Sequence, residues 1–188
     1  TINGGVMDLA ASDILSIEGV LNGTTNFIID EIEKNNVIYK EALLKAQQQG
    51  IAETDPSLDV EGWDTAIKLL ILTNVLMDDD KTLDDISVEG ITHITPEDVQ
   101  KALSEGKKYK LIGKTIKEKD ALKISVNLKE VGPDNPFFFV DGKNKAVRYK
   151  TDTLGDLTII GGQSGVVAAA ASVLRDILNI NRGYRFCY

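Results

Sequence analysis

The stretch GIAETDPSLDVEGWDTAIKLLILTNVLM, residues 50–77, combines acids and a lysine in a pattern that could support chemistry. Its second half is nearly all apolar and keeps one charge, Lys68, whereas its first half holds five carboxylates, those of Glu53, Asp55, Asp59, Glu61 and Asp64. Asp64 and Lys68 share a face of a helix, because they lie four positions apart. A lysine among apolar residues is rare unless it is paired or functional, and burial lowers the pKa of a lysine and so suits it to proton transfer. The spacing favours a functional Lys68 about as strongly as a simple ion pair on a helix surface.

The acids also have simpler explanations. Asp59 is a suitable N-cap for a buried helix over 65–77, and Glu61 would lie near the positive end of that helix dipole. Pro56 and the lack of periodicity predict a loop over 53–59. An alternative for Glu53, Asp55 and Asp59 is a divalent-cation site, although these acids lack the spacing of an EF-hand loop.

The sequence pattern changes near residue 106, from mostly helical spacing before it to mostly strand-like alternation after it. The first part predicts a strand over 14–23 and helices over 24–36, 39–50, 65–77 and 95–106, the last with Thr95 as N-cap and Pro96 in its first turn. The second part predicts strands over 107–116, 122–131, 135–142, 145–152 and 156–162 and a final helix over 164–178. The short connections between these strands favour antiparallel pairing.

Composition excludes several classes of protein. The chain has 188 residues, 43% of them hydrophobic, and a net charge of −8. This acidity argues against nucleic-acid and anionic-membrane partners, since both bind basic surfaces. No apolar run approaches the roughly 18 residues that span a bilayer, and TINGGVMDLA lacks the basic segment of a signal peptide. With one cysteine, Cys187, the chain has no internal disulfide framework, and we expect a cytoplasmic protein.

Two segments, GVLNGTTNFI and AQQQGIAETDPSLDVEGWDTAIKLLIL, resemble homoserine dehydrogenases. That family has a strand ending in an N-G-T-T-N-type turn, then A-x-x-x-G-x-A-E-x-D-P-x-x-D-x-x-G-x-D and a lysine four residues later. The chain matches the pattern at Asn22, Gly23, Thr24, Thr25, Asn26, Ala46, Gly50, Ala52, Glu53, Asp55, Pro56, Asp59, Gly62, Asp64 and Lys68. So long a spaced match is far more specific than a single glycine motif.

The resemblance implies an oxidoreductase that interconverts L-homoserine and L-aspartate 4-semialdehyde with NAD or NADP. It implies that Lys68 is the proton donor in the reducing direction and that Asp64 holds it at the C4 oxygen of the substrate. Glu53 would clamp the substrate ammonium, and the same pocket would be lined by Asp59, Thr24 and Gly23. The alternative is a non-catalytic amino-acid-binding or dimerisation module derived from the same fold.

The resemblance also implies an α/β architecture, with a mixed, largely antiparallel sheet, helices packed on one face and the other face used for dimerisation. Residues 1–160 would form the substrate-binding, catalytic and dimerisation domain. Residues 161–188 would form a helix and tail that complete a nucleotide-binding domain. The main Rossmann part of that domain is expected to be absent, because no G-x-G-x-x-G motif occurs in these 188 residues.

Three further sites are expected at the ends of the chain. By resemblance, the cofactor would approach a glycine-rich turn at Gly162, Ser164 and Gly165, although close packing of small residues explains that turn as well. By resemblance too, a monovalent cation, Na⁺ or K⁺, would bind backbone carbonyls in the segment TINGGV, namely those of Ile2, Gly4 and Val6. In a two-fold homodimer, Cys187 could meet its own copy in a redox-sensitive disulfide; otherwise it is an idle thiol on an exposed tail.

Overall fold

A single six-stranded sheet organises the protein in this computed structural model, which describes residues 2–119, 121–162 and 165–184. The strands are β1 (Ile14–Val20), β2 (Ile86–Val88), β3 (Lys108–Glu118), β4 (Ala121–Val131), β5 (Lys145–Thr151) and β6 (Asp156–Gly161). Their order across the sheet is β2-β4-β3-β1-β5-β6. β2 runs parallel to β4, and the other neighbours pair antiparallel. The predicted mixed, largely antiparallel sheet is confirmed.

The helices are α1 (Gly23–Asn35), α2 (Tyr39–Gln48), α3 (Ser57–Val60), α4 (Trp63–Met77), α5 (Pro96–Ser104) and α6 (Val166–Asn181). α5 begins as its sequence predicts: Thr95 accepts from the backbone N–H of Asp98, and the Asp98 carboxylate accepts from the backbone N–H of Thr95. α6 differs from the others in that each of its residues stays at least partly exposed. None of the helices in the described part of the chain is long and apolar enough to cross a membrane.

The main core lies between the sheet and the helices on one of its faces. Ile17, Leu111, Val126 and Val147 supply the sheet side of this core, and α1 and α4 cover it. Helix α4 approaches β3 closely at Gly113, where a Cβ atom would lie 3.1 Å from Thr65 Cγ2. Because this contact fixes α4 on the sheet, it also fixes the two charged residues in the first half of α4.

The opposite face of the sheet is mostly polar. At one end it carries a smaller apolar cluster, formed by Val20, Ile112, Val131, Phe137, Val140 and Ala146. Near its centre, Glu18 of β1 pairs with Lys114 of β3 at 2.6 Å and with Arg148 of β5. The prediction that the helices pack on one face is therefore confirmed, and pairing of the other face with a second subunit stays a prediction.

One prediction about the strands was wrong, and one strand of the structure was not predicted. Residues 135–142 form no strand; instead they hold a 3₁₀ turn, Pro136–Phe139, which Asn135 caps by accepting from the N–H of Phe137 at 3.0 Å. Pro136 has no N–H to give to a ladder, and Phe137 is buried in the smaller cluster. Strand β2 was not predicted, because three residues are too few to show a period.

The start of α4 also differs from the prediction. Asp59 is not its N-cap but lies within α3, and the chain enters α4 through Gly62 at φ 90°. That left-handed backbone conformation favours glycine. It allows the short connection between α3, which ends at Val60, and α4, which begins at Trp63. The prediction of a helix buried all round was wrong as well, because Ile67, Lys68 and Ile71 are exposed on one side of α4.

Candidate active site

Asn22, in the turn between β1 and α1, connects two acids of the predicted site. Its side-chain NH₂ group donates to Asp59 Oδ1 at 2.5 Å and to Asp64 Oδ2 at 2.6 Å. Its Oδ1 accepts from the backbone N–H of Thr25 at 2.8 Å and so caps α1. Since an N–H can only donate, this cap fixes which end of the amide faces the two carboxylates. One buried side chain thereby joins α1, α3 and α4.

Asp64 and Lys68 form the ion pair that their spacing predicts. Lys68 Nζ lies 2.6 Å from Asp64 Oδ2, the same oxygen that accepts from Asn22. The side chain of Lys68 is 48% exposed and that of Asp64 is 29% exposed. Asn22 therefore holds the buried side of the ion pair, and the other side of the pair is exposed. Such an arrangement suits a group that must reach a substrate.

The open side of α4 faces a cavity of about 480 Å³. The cavity is lined by Ile2, Leu21, Lys68, Ile71, Leu72, Lys145, Ala146, Ile159, Gly161 and Gly162. Its walls are mostly apolar and its charged lining residues are two lysines. This explains the exposure of Ile71, which lines a ligand-sized space rather than a core.

The cavity brings one predicted cofactor residue to the predicted catalytic lysine. Gly162, at φ 84°, lies after β6 and lines the cavity with Lys68. Gly165 is exposed and immediately precedes α6, whereas Ser164 lies outside the described residues. An apolar wall beside two adjacent glycines, Gly161 and Gly162, is compatible with a flat nicotinamide ring.

The predicted substrate residues lie around the start of α1. The hydroxyl of Thr24 donates to the carbonyl of Ile51 at 3.1 Å and holds the following loop against α1. Gln47 of α2 donates from its Nε2 to the carbonyl of Glu53 in that loop at 3.1 Å, and Glu53 itself is exposed. Gly23 is the first residue of α1. These contacts place Thr24 and Glu53 on neighbouring segments, and among the residues described no hydrogen bond or ion pair joins Glu53 to Lys68.

The predicted cation site falls on a helical segment. Ile2 lines the cavity, and Gly4 and Val6 belong to a π-helical turn, Gly4–Asp8. Within the described ranges, no group of three His, Cys, Asp or Glu residues is arranged to hold a metal ion. The role of the Ile2, Gly4 and Val6 carbonyls stays a prediction, and Cys187 lies outside the described residues.

Lys145, the first residue of β5, was not singled out by its sequence. It lines the cavity with Lys68, and burial and the positive charge of Lys68 lower its pKa, while the charge of Asp64 opposes that shift. Its neighbours in KNKAVRYK give an ordinary strand pattern. Only the pairing of β5 with β1 and β6 brings this lysine to the site.

Comparison with known proteins identifies the family of the chain. The family model described as homoserine dehydrogenase matches residues 2–178. The chain is 41% identical over 172 residues to the homoserine dehydrogenase of Methanocaldococcus jannaschii, with 92% of this chain and 50% of that protein covered. It is 35% identical over 175 residues to the NAD(+)-dependent homoserine dehydrogenase of Pseudomonas canavaninivorans, with 93% and 49% covered. The crystal structure of a homoserine dehydrogenase from Thiobacillus denitrificans matches with a TM-score of 0.91 and 31% identity, over 96% of this chain and 42% of that one.

The fold and the sequence define a domain of an oxidoreductase family. The chain belongs to the homoserine dehydrogenase family. It spans about half the length of the relatives that it matches.

Proposed function

We propose that this chain is the catalytic portion of an enzyme that interconverts L-homoserine and L-aspartate 4-semialdehyde with NAD or NADP. The observation that supports the proposal most directly is the Lys68–Asp64 pair, which opens into an apolar cavity in a chain of this family. This activity would belong to the biosynthesis of threonine, methionine and isoleucine.

In the proposed reaction, Lys68 supplies the proton for the C4 oxygen of the semialdehyde. A nicotinamide cofactor, when bound, would supply the hydride that reduces C4, and negative charge would then develop on the C4 oxygen. The Lys68 ammonium donates one proton to that oxygen, and the neutral amine then recovers a proton from solvent. Asp64 orients the ammonium, and Asn22 orients Asp64 through their 2.6 Å hydrogen bond.

The substrate would be oriented by its ammonium group. A carboxylate is the natural partner of that cation, and we assign this role to Glu53, with Thr24, Gly23 and Asp59 along the same pocket. Thr24 supports the assignment because its hydrogen bond to Ile51 holds the Glu53 loop beside α1.

The cofactor would approach Gly162, Ser164 and Gly165. Gly162 lines the same cavity as Lys68, which is consistent with a nicotinamide beside the substrate. Residues 1–160 would form the substrate domain, and residues 161–188 would complete a nucleotide-binding domain. A monovalent cation at the Ile2, Gly4 and Val6 carbonyls belongs to the same proposal.

Dimerisation would use the open face of the sheet. Its central charged groups, those of Glu18, Lys114 and Arg148, each have an ionic partner within the chain, although two cations share one carboxylate and leave a net positive charge for the covering subunit to accommodate. Sedimentation would test the homodimer. Non-reducing gels of oxidised wild type and Cys187→Ser would test the Cys187–Cys187 bridge, and a monomer band for oxidised wild type would exclude it.

The deciding experiment measures reduction of NAD and NADP by L-homoserine with the full-length gene product and with residues 1–188 alone. We expect activity from the full-length product and none from residues 1–188. Inactivity of the full-length product with both cofactors would contradict the proposed reaction. Calorimetric binding of L-homoserine without any turnover would instead support the alternative, a non-catalytic amino-acid-binding module.

A further inference from the structure

Two lysines from different elements share the cavity beside the Lys68–Asp64 pair. Lys68 comes from α4 and Lys145 from the first position of β5. The other described lining residues are apolar side chains and two glycines. The resemblance to the family assigns Lys68, but nothing in the proposed reaction yet uses Lys145.

The position of Lys145 is fixed by strand β6 and by the turn that follows it. It is paired with Gly161 of β6, and its Cε lies 3.5 Å from where a Cβ on Gly162 would be. Its stem therefore lies against the turn that leads to α6. That separation is an ordinary van der Waals contact, so the stem packs closely on the backbone of Gly162, whose φ of 84° favours glycine.

The segment before Lys145 is clamped to the rest of the domain. Asn26 of α1 donates its side-chain amide to the carbonyls of Val140, Gly142 and Asn144, at 2.9, 3.0 and 3.2 Å. Lys110, which is 1% exposed, donates to the same Val140 carbonyl at 2.6 Å. The start of β5 is thus held by α1, the helix that Asn22 caps. Lys145 therefore has a fixed position relative to the hydrogen bonds that join Asn22, Asp64 and Lys68.

Lys68 has charged neighbours on three elements among the residues described. Asp64 of α4 contacts it directly, and Asp59 of α3 accepts from the same Asn22 amide as Asp64. Lys145 of β5 lines the cavity with Lys68, and the charge of Lys68 lowers the pKa of Lys145. The segments from the N-terminal turn, the end of β1 and β6 contribute Ile2, Leu21 and Ile159, which carry no charge. Low-polarity walls of this kind strengthen the interaction between the charges they enclose.

We infer that Lys145 is the electrostatic partner of Lys68, a second cation that stabilises the negative charge developing on the C4 oxygen of the substrate. The inference rests on the proposed function. During hydride addition to the aldehyde, the C4 oxygen takes up the electron pair of the C=O bond and receives its proton from Lys68. Lys145 neither gains nor loses a proton; its fixed positive charge stabilises the alkoxide and favours release of the proton from Lys68.

Steady-state kinetics of full-length Lys145→Met and Lys145→Arg test this role. Met keeps the length of the stem and removes the charge, whereas Arg keeps the charge. We expect Met to lower kcat by about tenfold or more, on the scale of lost electrostatic stabilisation, with a smaller change in KM. We expect Arg to retain most of kcat. Lys101→Met, on the exposed side of α5, is the matched control and should keep wild-type kcat.

The pH profile separates an electrostatic role from a structural one. Removal of a neighbouring positive charge raises the pKa of an ammonium group, so the alkaline limb of kcat for semialdehyde reduction should move to higher pH in Lys145→Met. It should stay in place in Lys145→Arg and in Lys101→Met. Unchanged kcat in Lys145→Met, or equal losses in Met and Arg without movement of this limb, would overturn the inference.

A second measurement does not depend on activity. NMR of ¹³C-methylated lysines would follow the titration of Lys145 without ligands, with its signal assigned by its loss in Lys145→Arg. Because the charge of Lys68 lowers the pKa of Lys145, we expect the Lys145 midpoint to shift upward in Lys68→Met, and an unshifted midpoint would contradict the inference. If wild type does not oxidise homoserine but the Lys145 midpoint still shifts, the proposed function fails while the coupling of the two lysines stands.

Discussion

Asn22 donates its side-chain amide to Asp64 Oδ2 at 2.6 Å, across 42 positions of sequence. The same oxygen accepts from Lys68, so the proposed proton donor is held through two successive hydrogen bonds that begin in the β1–α1 turn. The turn that caps α1 therefore also forms the base of the proposed active site.

Replacing Asn22 with Ala should affect stability and activity together. The variant loses the cap on Thr25 and the donor shared by Asp59 and Asp64, so we expect the free energy of unfolding to fall by about 2 kcal/mol. We expect kcat to fall by about tenfold, because Asp64 loses one of the bonds that aim it. Chemical denaturation and steady-state kinetics measure the two effects.

The matched control is Thr95→Ala, which removes the N-cap of α5. It should cost about 1 kcal/mol of stability and leave kcat unchanged, since a lost cap alone does not touch the site. Equal activity in Asn22→Ala and Thr95→Ala would show that Asn22 acts only as a helix cap.

Lys68→Ala separates catalysis from folding. Because the Lys68 side chain is 48% exposed, its removal should leave the thermal unfolding midpoint close to that of wild type. We expect kcat to fall by about 10²-fold or more, the scale of a lost general acid. Lys101→Ala is the control for loss of a helix lysine, and wild-type turnover in Lys68→Ala would rule out the assigned role.

Glu53→Gln should change substrate binding more than turnover. The amide keeps the shape of the carboxylate but cannot neutralise the substrate ammonium, so we expect KM for L-homoserine to rise about tenfold or more. Glu61→Gln removes a nearby exposed acid and should behave as wild type. A fall in kcat alone, with KM unchanged, would argue against an ammonium clamp.

Local sequence signals were sufficient for most of the fold. Thr95 and Pro96 define the start of α5, and the alternation in β3 and β4 defines a long antiparallel pair. In these elements the information lies within a few residues. The same holds for the Asp64–Lys68 pair, whose geometry follows from one helical turn.

Features that depend on distant partners could not be predicted in this way. β2 forms because Ile86–Val88 pairs with Ile124–Val126 of β4, nearly 40 positions later in the sequence. Lys145 reaches the site through strand pairing, and Asp59 meets Asn22 instead of capping α4 because Gly62 provides the turn. Even the exposure of Ile71 reflects a cavity that several separate segments enclose.

The charge cluster on the open face of the sheet should make stability depend on acid pH. Burial alone would raise the pKa of Glu18, but hydrogen bonds from Lys114 and Arg148 outweigh it and hold that pKa below the ordinary value of 4.5. In the unfolded chain Glu18 takes up a proton at a higher pH than in the folded one. The stabilisation is therefore fully present above about pH 4.5 and is lost as the pH falls through the lower, folded value.

Glu18→Gln tests this dependence by removing the charge that both cations share. We expect its free energy of unfolding at neutral pH to be lower by about 2–3 kcal/mol, because Arg148 and Lys114 lose a charged acceptor in a largely buried place. The difference from wild type should shrink as the pH is lowered below 4.5, since protonated Glu18 no longer supplies that charge. Denaturation at a series of pH values and one fixed protein concentration measures it, with Glu118→Gln, at the exposed end of β3, as the control. A difference that stays constant down to pH values where the protein unfolds would mean that the cations gain nothing from the ionised carboxylate.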